Sequence, residues 1–226
     1  MSLRLEKIEK GLIFNNEAKC DTEYSIYLLQ NHKEIFNFAN SIKNNWAPYI
    51  MDIYVNHISP KINFKDDNWL DSLKPILHDY NLEDIGWDWT SKALSKYNNN
   101  YLWSSLVIDD ISEGIIICNH PENSKIYEYN IIYIDYLATA PWNRNSVLGV
   151  GKYIGIGTLL LKASIKYGLK QFNYIPGFNL HSLSRAENYY RKIGMRDLGI
   201  DDKKNGLRIF EMEKEGCELF LSDKKI

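Results

Sequence analysis

The chain has 226 residues, 45% of them hydrophobic and 25% charged, with 27 basic residues against 29 acidic ones for a net charge of -2. That length and composition suit one globular domain with a sizeable core and exclude a disordered or fibrous chain. The charge balance, without a basic stripe, argues against a nucleic-acid partner, and the charged opening MSLRLEKIEK with no long apolar run argues against a secretory leader or a membrane partner.

The three cysteines, Cys20, Cys118 and Cys217, are odd in number and far apart. They form no CxxC or Cys/His pattern, so free thiols, no metal and a cytoplasmic location are expected.

In chain order, the only predicted strand of the first half is EYSIYLLQ, residues 23–30. KEIFNFANSIKNNW then places Ile35, Phe38, Ala39, Ile42 and Trp46 on one helical face. NWLDSLKPILHDY does the same with Trp69, Leu70, Leu73 and Leu77, and Pro75 is expected to kink or end that helix. DWTSKALSKY predicts a third helix carrying Trp89, Ala93, Leu94 and Tyr97. From Tyr101 the texture changes to three strands, YLWSSLVID, EGIIICNH and YEYNIIYIDYLAT, whose short connections imply antiparallel neighbours. The third is apolar at both parities, as a central strand covered on both faces is. A helix over Thr158–Tyr167, with Gly168 as its left-handed C-cap, follows the glycine-rich segment. Next come a strand near QFNYIPGFNL, a helix SRAENYYRKI opened by an S-x-x-E capping box of Ser184 and Glu187, and strands around Met195–Leu198 and Leu207–Met212. The fold class this order predicts is α+β: a mixed, mostly antiparallel central sheet flanked by helices in a single domain over 1–226, with residues 33–97 as an enlarged helical region between the first two strands.

The glycine-rich segment GKYIGIGTLLLKASIKYG invites a phosphate-binding reading. As a dinucleotide fingerprint it fails, because Ile154 stands where the third glycine belongs, and it follows antiparallel strands rather than a first parallel unit. A P-loop needs an upstream glycine and a hydroxyl residue after Gly151-Lys152, and both are lacking. What survives is a bare helix N-terminus, where Gly155 and Gly157 let an anion approach unpaired amides, set against glycines that only permit close packing.

Taken together, LATAPWNR…GKYIGIGTLLLKA and LHSLSRAENYYRKIGM resemble the GNAT superfamily of acyl-CoA-dependent N-acetyltransferases over about residues 101–213. Lys152, Gly155 and Gly157 fill the family's [RQ]xxGx[GA] loop, and Ala186, Tyr190, Gly194 and Met195 fill its A-x-x-x-Y-x-x-x-G-[FM] helix. Lys152 stands where Arg or Gln is usual, keeping a cation and losing the guanidinium fork. The segment NSVLGVG lengthens the loop, and Leu183 replaces a usual Asn.

The resemblance implies an acetyl transfer from acetyl-CoA, as co-substrate, to a primary amine. Leu137, Ala138 and Thr139 would pair with the pantetheine arm through their backbone, and one of the amides near Leu137 or Ala138 would receive the oxyanion. The run Lys152, Tyr153, Ile154, Gly155, Ile156, Gly157 and Thr158 would hold the pyrophosphate. Tyr190 would be the acid that protonates the leaving thiolate, the alternative being a core aromatic such as Tyr189. Asp135 would be the base, directly or through water, the alternative being a carboxylate that caps a bulge or pairs with a nearby Arg; His181 is the fallback. The acceptor side would be residues 33–97, and the acceptor a small-molecule, peptide or protein amine. A non-catalytic acyl-CoA-binding module of the same fold is the alternative function.

Overall fold

The computed structural model describes residues 5–222. Its β-branched and aromatic runs form one eight-stranded sheet in the order β1-β2-β3-β4-β5-β6-β8-β7. The strands are β1 (Glu6–Asn15), β2 (Cys20–Leu29), β3 (Tyr101–Ile108), β4 (Ile111–Asn123), β5 (Asn130–Thr139), β6 (Phe178–Ser182), β7 (Arg196–Asp201) and β8 (Leu207–Met212). The helices are α1 (His32–Ile53), α2 (Trp69–Asp79), α3 (Trp89–Ser95), α4 (Ile156–Phe172), α5 (Glu187–Lys192) and α6 (Lys214–Leu221). The α+β class expected from the element order is the observed one.

Both parities of the central strands are apolar because both faces are covered. On one face Leu160, Leu161 and Ile165 of α4 pack with Leu106, Ile116, Ile132 and Phe178. On the other, Ile35, Ala39, Ile42 and Trp46 of α1 and Trp89 and Ala93 of α3 pack with Trp103, Ile115, Ile117 and Ala138. The residues between α1 and α3 close a small core of their own around Ile53, Ile58, Tyr80 and Leu82.

Two strand irregularities shape the end of β5. The sheet's parallel pair, β5 with β6, is matched only at Ile132–Phe178, Tyr133–Asn179 and Ile134–Leu180. Beyond those pairs β5 runs on to Thr139 while β6 stays with β8, so the two strands splay apart. At the start of the splay, Ile117 faces Tyr136 and Cys118 faces Ile134, which leaves Asp135 as the extra residue of a bulge.

Several expectations need correction. β1 was missed: it is an edge strand whose Leu12 and Phe14 are exposed and whose one buried apolar side chain is Ile13, so its alternation carries little apolar signal. The closing α6 was missed as well. Pro75 does not end α2, which runs on to Asp79; the helix buries none of its residues, so the carbonyl deprived of its donor lies on a solvated surface. Of the residues expected on the third helix, Trp89 and Ala93 are buried, Leu94 is exposed, and Tyr97 is exposed and lies past the end of α3. Residues 171–172 belong to α4, not to a strand. The capping box does not form, since Ser184 donates instead to Glu83 Oε1 at 2.9 Å and Glu187 pairs with Arg191.

Gly168 is not a C-cap either. It lies inside α4, which ends at a left-handed Asn173 with φ 55°. A Cβ at 168 would stand 2.5 Å from Ile132 Cδ1 and 3.4 Å from Leu102 Cδ1, so this glycine sets how closely helix and sheet approach. Gly168→Val is expected to cost about 1–3 kcal/mol by overpacking, read as a lower urea midpoint at unchanged m-value.

Candidate active site

The splay of β5 from β6 opens a cleft of about 560 Å³. Leu137, Ala138 and Thr139 at the end of β5 form one wall, the segment from Tyr153 to Thr158 a second, and Ala186, Tyr189 and Tyr190 a third. The volume lies within the range of pockets that enclose a whole small ligand.

Gly155 is the N-cap of α4, at φ 98°, a left-handed conformation that a side chain would strain. No side chain caps this helix, so the amides of Ile156, Gly157 and Thr158 have no intrahelical acceptor, and the residues that carry them line the cleft. The macrodipole adds partial positive charge at the same end. A Cβ on Gly157 would come no nearer than 3.8 Å to Thr139 Cγ2. The glycine is therefore not forced by packing, and its effect is to leave backbone bare on the cleft side.

Tyr190 is 8% exposed, its ring held between Tyr189 and Phe210 at centroid distances of 5.3 and 5.8 Å. Burial pushes its phenol well above the usual tyrosine value. Tyr189 also reaches the cleft, bonding hydroxyl to hydroxyl with Thr158 at 2.8 Å across to the head of α4. It was expected to be plain core.

Two expected site residues do not reach the cleft. Asp135 lies on the α1/α3 face of the sheet, because the bulge keeps it on the side of Tyr136, and Lys96 Nζ binds its carboxylate at 2.6 Å. Lys152 is held by its backbone: its N–H donates to the Trp142 carbonyl and its own carbonyl accepts from Asn16, each near 2.9 Å (2.9 and 2.8 Å). Its ammonium rests 5.2 Å from the Tyr153 ring rather than at the helix head. A short antiparallel bridge between Asn15, the last residue of β1, and Tyr153 ties the loop to the edge strand. His181 is also engaged, with Tyr133 3.1 Å from Nδ1 and Asp201 3.0 Å from Nε2. With Nε2–H donating to Asp201, Nδ1 accepts from the Tyr133 hydroxyl, and burial lowers the imidazole pKa.

The sequence reading missed the groups that hold the mouth of the cleft. Arg144 forks onto Asp84 at 2.6 and 2.9 Å, donates twice to the Thr139 carbonyl at 2.9 and 2.6 Å, and reaches the Asn81 carbonyl at 2.8 Å. Arg185 donates to the carbonyls of His78 and Asn145. The segment between α2 and α3 is thereby tied to the end of β5, and the last turn of α2 to the approach to α5. Pro141–Asn143, the turn just before Arg144, is pinned by buried Glu113, which accepts from Trp142 Nε1 and Asn143 Nδ2 at 2.6 Å each.

No family model and no curated protein matches the chain. Among solved structures, an uncharacterized protein from Bacillus halodurans superposes with a TM-score of 0.50 at 12% identity, over 96% of this chain and 97% of that one. The PaiA N-acetyltransferase from Thermoplasma acidophilum in complex with coenzyme A gives 0.44 at 16% identity, over 83% of this chain and 98% of its own. Naa50 of Arabidopsis thaliana in complex with a bisubstrate analogue, CoA-Ac-MVNAL, gives 0.36 at 21%, over 49% and 72%. The likeness is one of fold. What is shared is a mostly antiparallel sheet with flanking helices, the α+β arrangement expected from the element order. Among the described residues no helix is long and apolar enough to cross a membrane.

Proposed function

We propose that the cleft binds acetyl-CoA and that the chain transfers its acetyl group to a primary amine by direct attack in a ternary complex. The observation that supports this most is the convergence of three features on one cavity: the free edge of β5, the uncapped head of α4 and the phenol of Tyr190.

In this reading the diphosphate sits on the amides of Ile156, Gly157 and Thr158, with Tyr153, Ile154 and Gly155 shaping the turn. The pantetheine arm lies along Leu137, Ala138 and Thr139 as an added strand would, in the gap that β6 leaves. Lys152 contributes through the backbone that anchors the loop. The thioester then rests beside Tyr190. The amine nitrogen attacks the carbonyl carbon, the carbon–sulfur bond breaks, and Tyr190 gives its proton to the departing thiolate. Asp135, held by Lys96 at the bulge, takes the amine proton through water from the opposite face of the splay.

Thiol release from acetyl-CoA across a panel of amines tests the transfer. Saturable coenzyme A binding without turnover on any amine would leave the binding module and remove the enzyme. Gly157→Asp tests the binding step separately. A carboxylate in the first turn of α4 suits the helix dipole and repels a diphosphate. Coenzyme A affinity is therefore expected to fall about tenfold or more, an effect of about 1.4 kcal/mol, while the melting temperature holds or rises.

A further inference from the structure

A second cavity, of about 220 Å³, opens beside the cleft between α1 and the segment leading into α3. Its walls are Ile42 and Trp46 on one side and Trp87 and Trp89 on the other, with exposed Ala47 at the rim. The indoles meet edge to face, Trp46 with Trp89 at 6.3 Å and Trp87 with Trp89 at 5.9 Å. Tyr136, the β5 residue before Leu137, stands edge-on to Trp87 at 4.9 Å. An aromatic wall therefore runs from this cavity to the strand that borders the cleft, and Asp84 and Arg144 line both spaces.

Three of the four charged residues that line the cavity are already committed. Arg144 holds Asp84 in a fork, and Asp88 accepts from the backbone and hydroxyls of Thr90 and Ser91 at the head of α3. Lys43, on α1, is exposed to solvent. What the walls offer a bound group is indole face and aliphatic surface, the surroundings that favour a flat apolar group. The volume is below that of a whole-ligand pocket and suits one side chain.

Resting on the acetyl-transfer reading, we propose that this cavity is the acceptor's side-chain subsite: it takes the aromatic or branched apolar group of a primary amine whose nitrogen points to the splay between β5 and β6. The probes are 2-phenylethylamine and propylamine, measured by calorimetry and by thiol release, on the parent protein and on Ala47→Trp, which sets an indole across the opening from an exposed helix position. The expected result is about tenfold or more in affinity and in kcat/KM for the aryl amine, lost in Ala47→Trp at unchanged melting temperature and coenzyme A binding. Equal binding of the two amines, or aryl binding that survives Ala47→Trp, overturns the subsite. Turnover with no aryl preference removes the subsite and keeps the transfer. Aryl-selective binding without turnover on any amine keeps the subsite and removes the transfer.

Discussion

Replacing Tyr190 by Phe is expected to lower thiol release from acetyl-CoA by about 10²–10⁴-fold while leaving coenzyme A affinity and stability nearly unchanged. The reason is geometric first. The ring is wedged between Tyr189 and Phe210, so removing the hydroxyl leaves packing as it is and takes away only the proton donor. Burial has pushed the phenol's pKa up, which keeps the donor form intact wherever the protein is folded. It follows that the parent rate should show no alkaline fall from this group below about pH 10, the ordinary tyrosine value. Tyr189→Phe makes the control. It breaks the bond to Thr158 Oγ1 and loosens the head of α4, so its expected signature is weaker coenzyme A binding with kcat largely kept. Equal losses of kcat in the two variants, or none in Tyr190→Phe, would remove the phenol from the chemistry.

The motif residues of this cleft are legible in sequence because they are backbone statements. Gly155 sits at a positive φ and Gly157 at a helix head without a side chain, and local spacing reports both. The same logic failed at Gly168, since a glycine at the end of an apolar run reads alike whether it caps a helix or lets the helix press on Ile132. Asp135 shows a different limit. Regular alternation along β5 would put it on the side of Leu137, and the bulge that reverses its side is set by how β4 pairs with β5, which no residue of β5 announces. β1 was invisible because an edge strand needs only one buried residue in three at its tip, Ile13 between exposed Leu12 and Phe14. Long-range ion pairs were the least legible of all. Arg144 and Asp84 are 60 positions apart, and neither position carries a local pattern that names the other.

That pair carries the largest expected effect on stability. The Arg144 side chain is 8% exposed and that of Asp84 13%, so either charge recovers little hydration when its partner is lost. Arg144→Ala strands the Asp84 carboxylate and also deprives the carbonyls of Thr139 and Asn81 of their donors. Breaking a buried pair in this way costs about 3–5 kcal/mol, and at about 2–4 °C per kcal/mol for a chain of this size the melting temperature should drop by roughly 6–20 °C. Arg144→Lys keeps the charge and gives up the fork, so it should recover only part of the loss. The pair with Asp84→Ala decides the cause. If a stranded carboxylate is the main cost, the double variant is more stable than Arg144→Ala alone, with a coupling of about 0.5–3 kcal/mol. If the carbonyl bonds carry it instead, removing Asp84 recovers nothing. In either case the anchor of Thr139 is lost, and because Thr139 ends the wall of the cleft, coenzyme A binding should weaken together with the fold rather than independently of it.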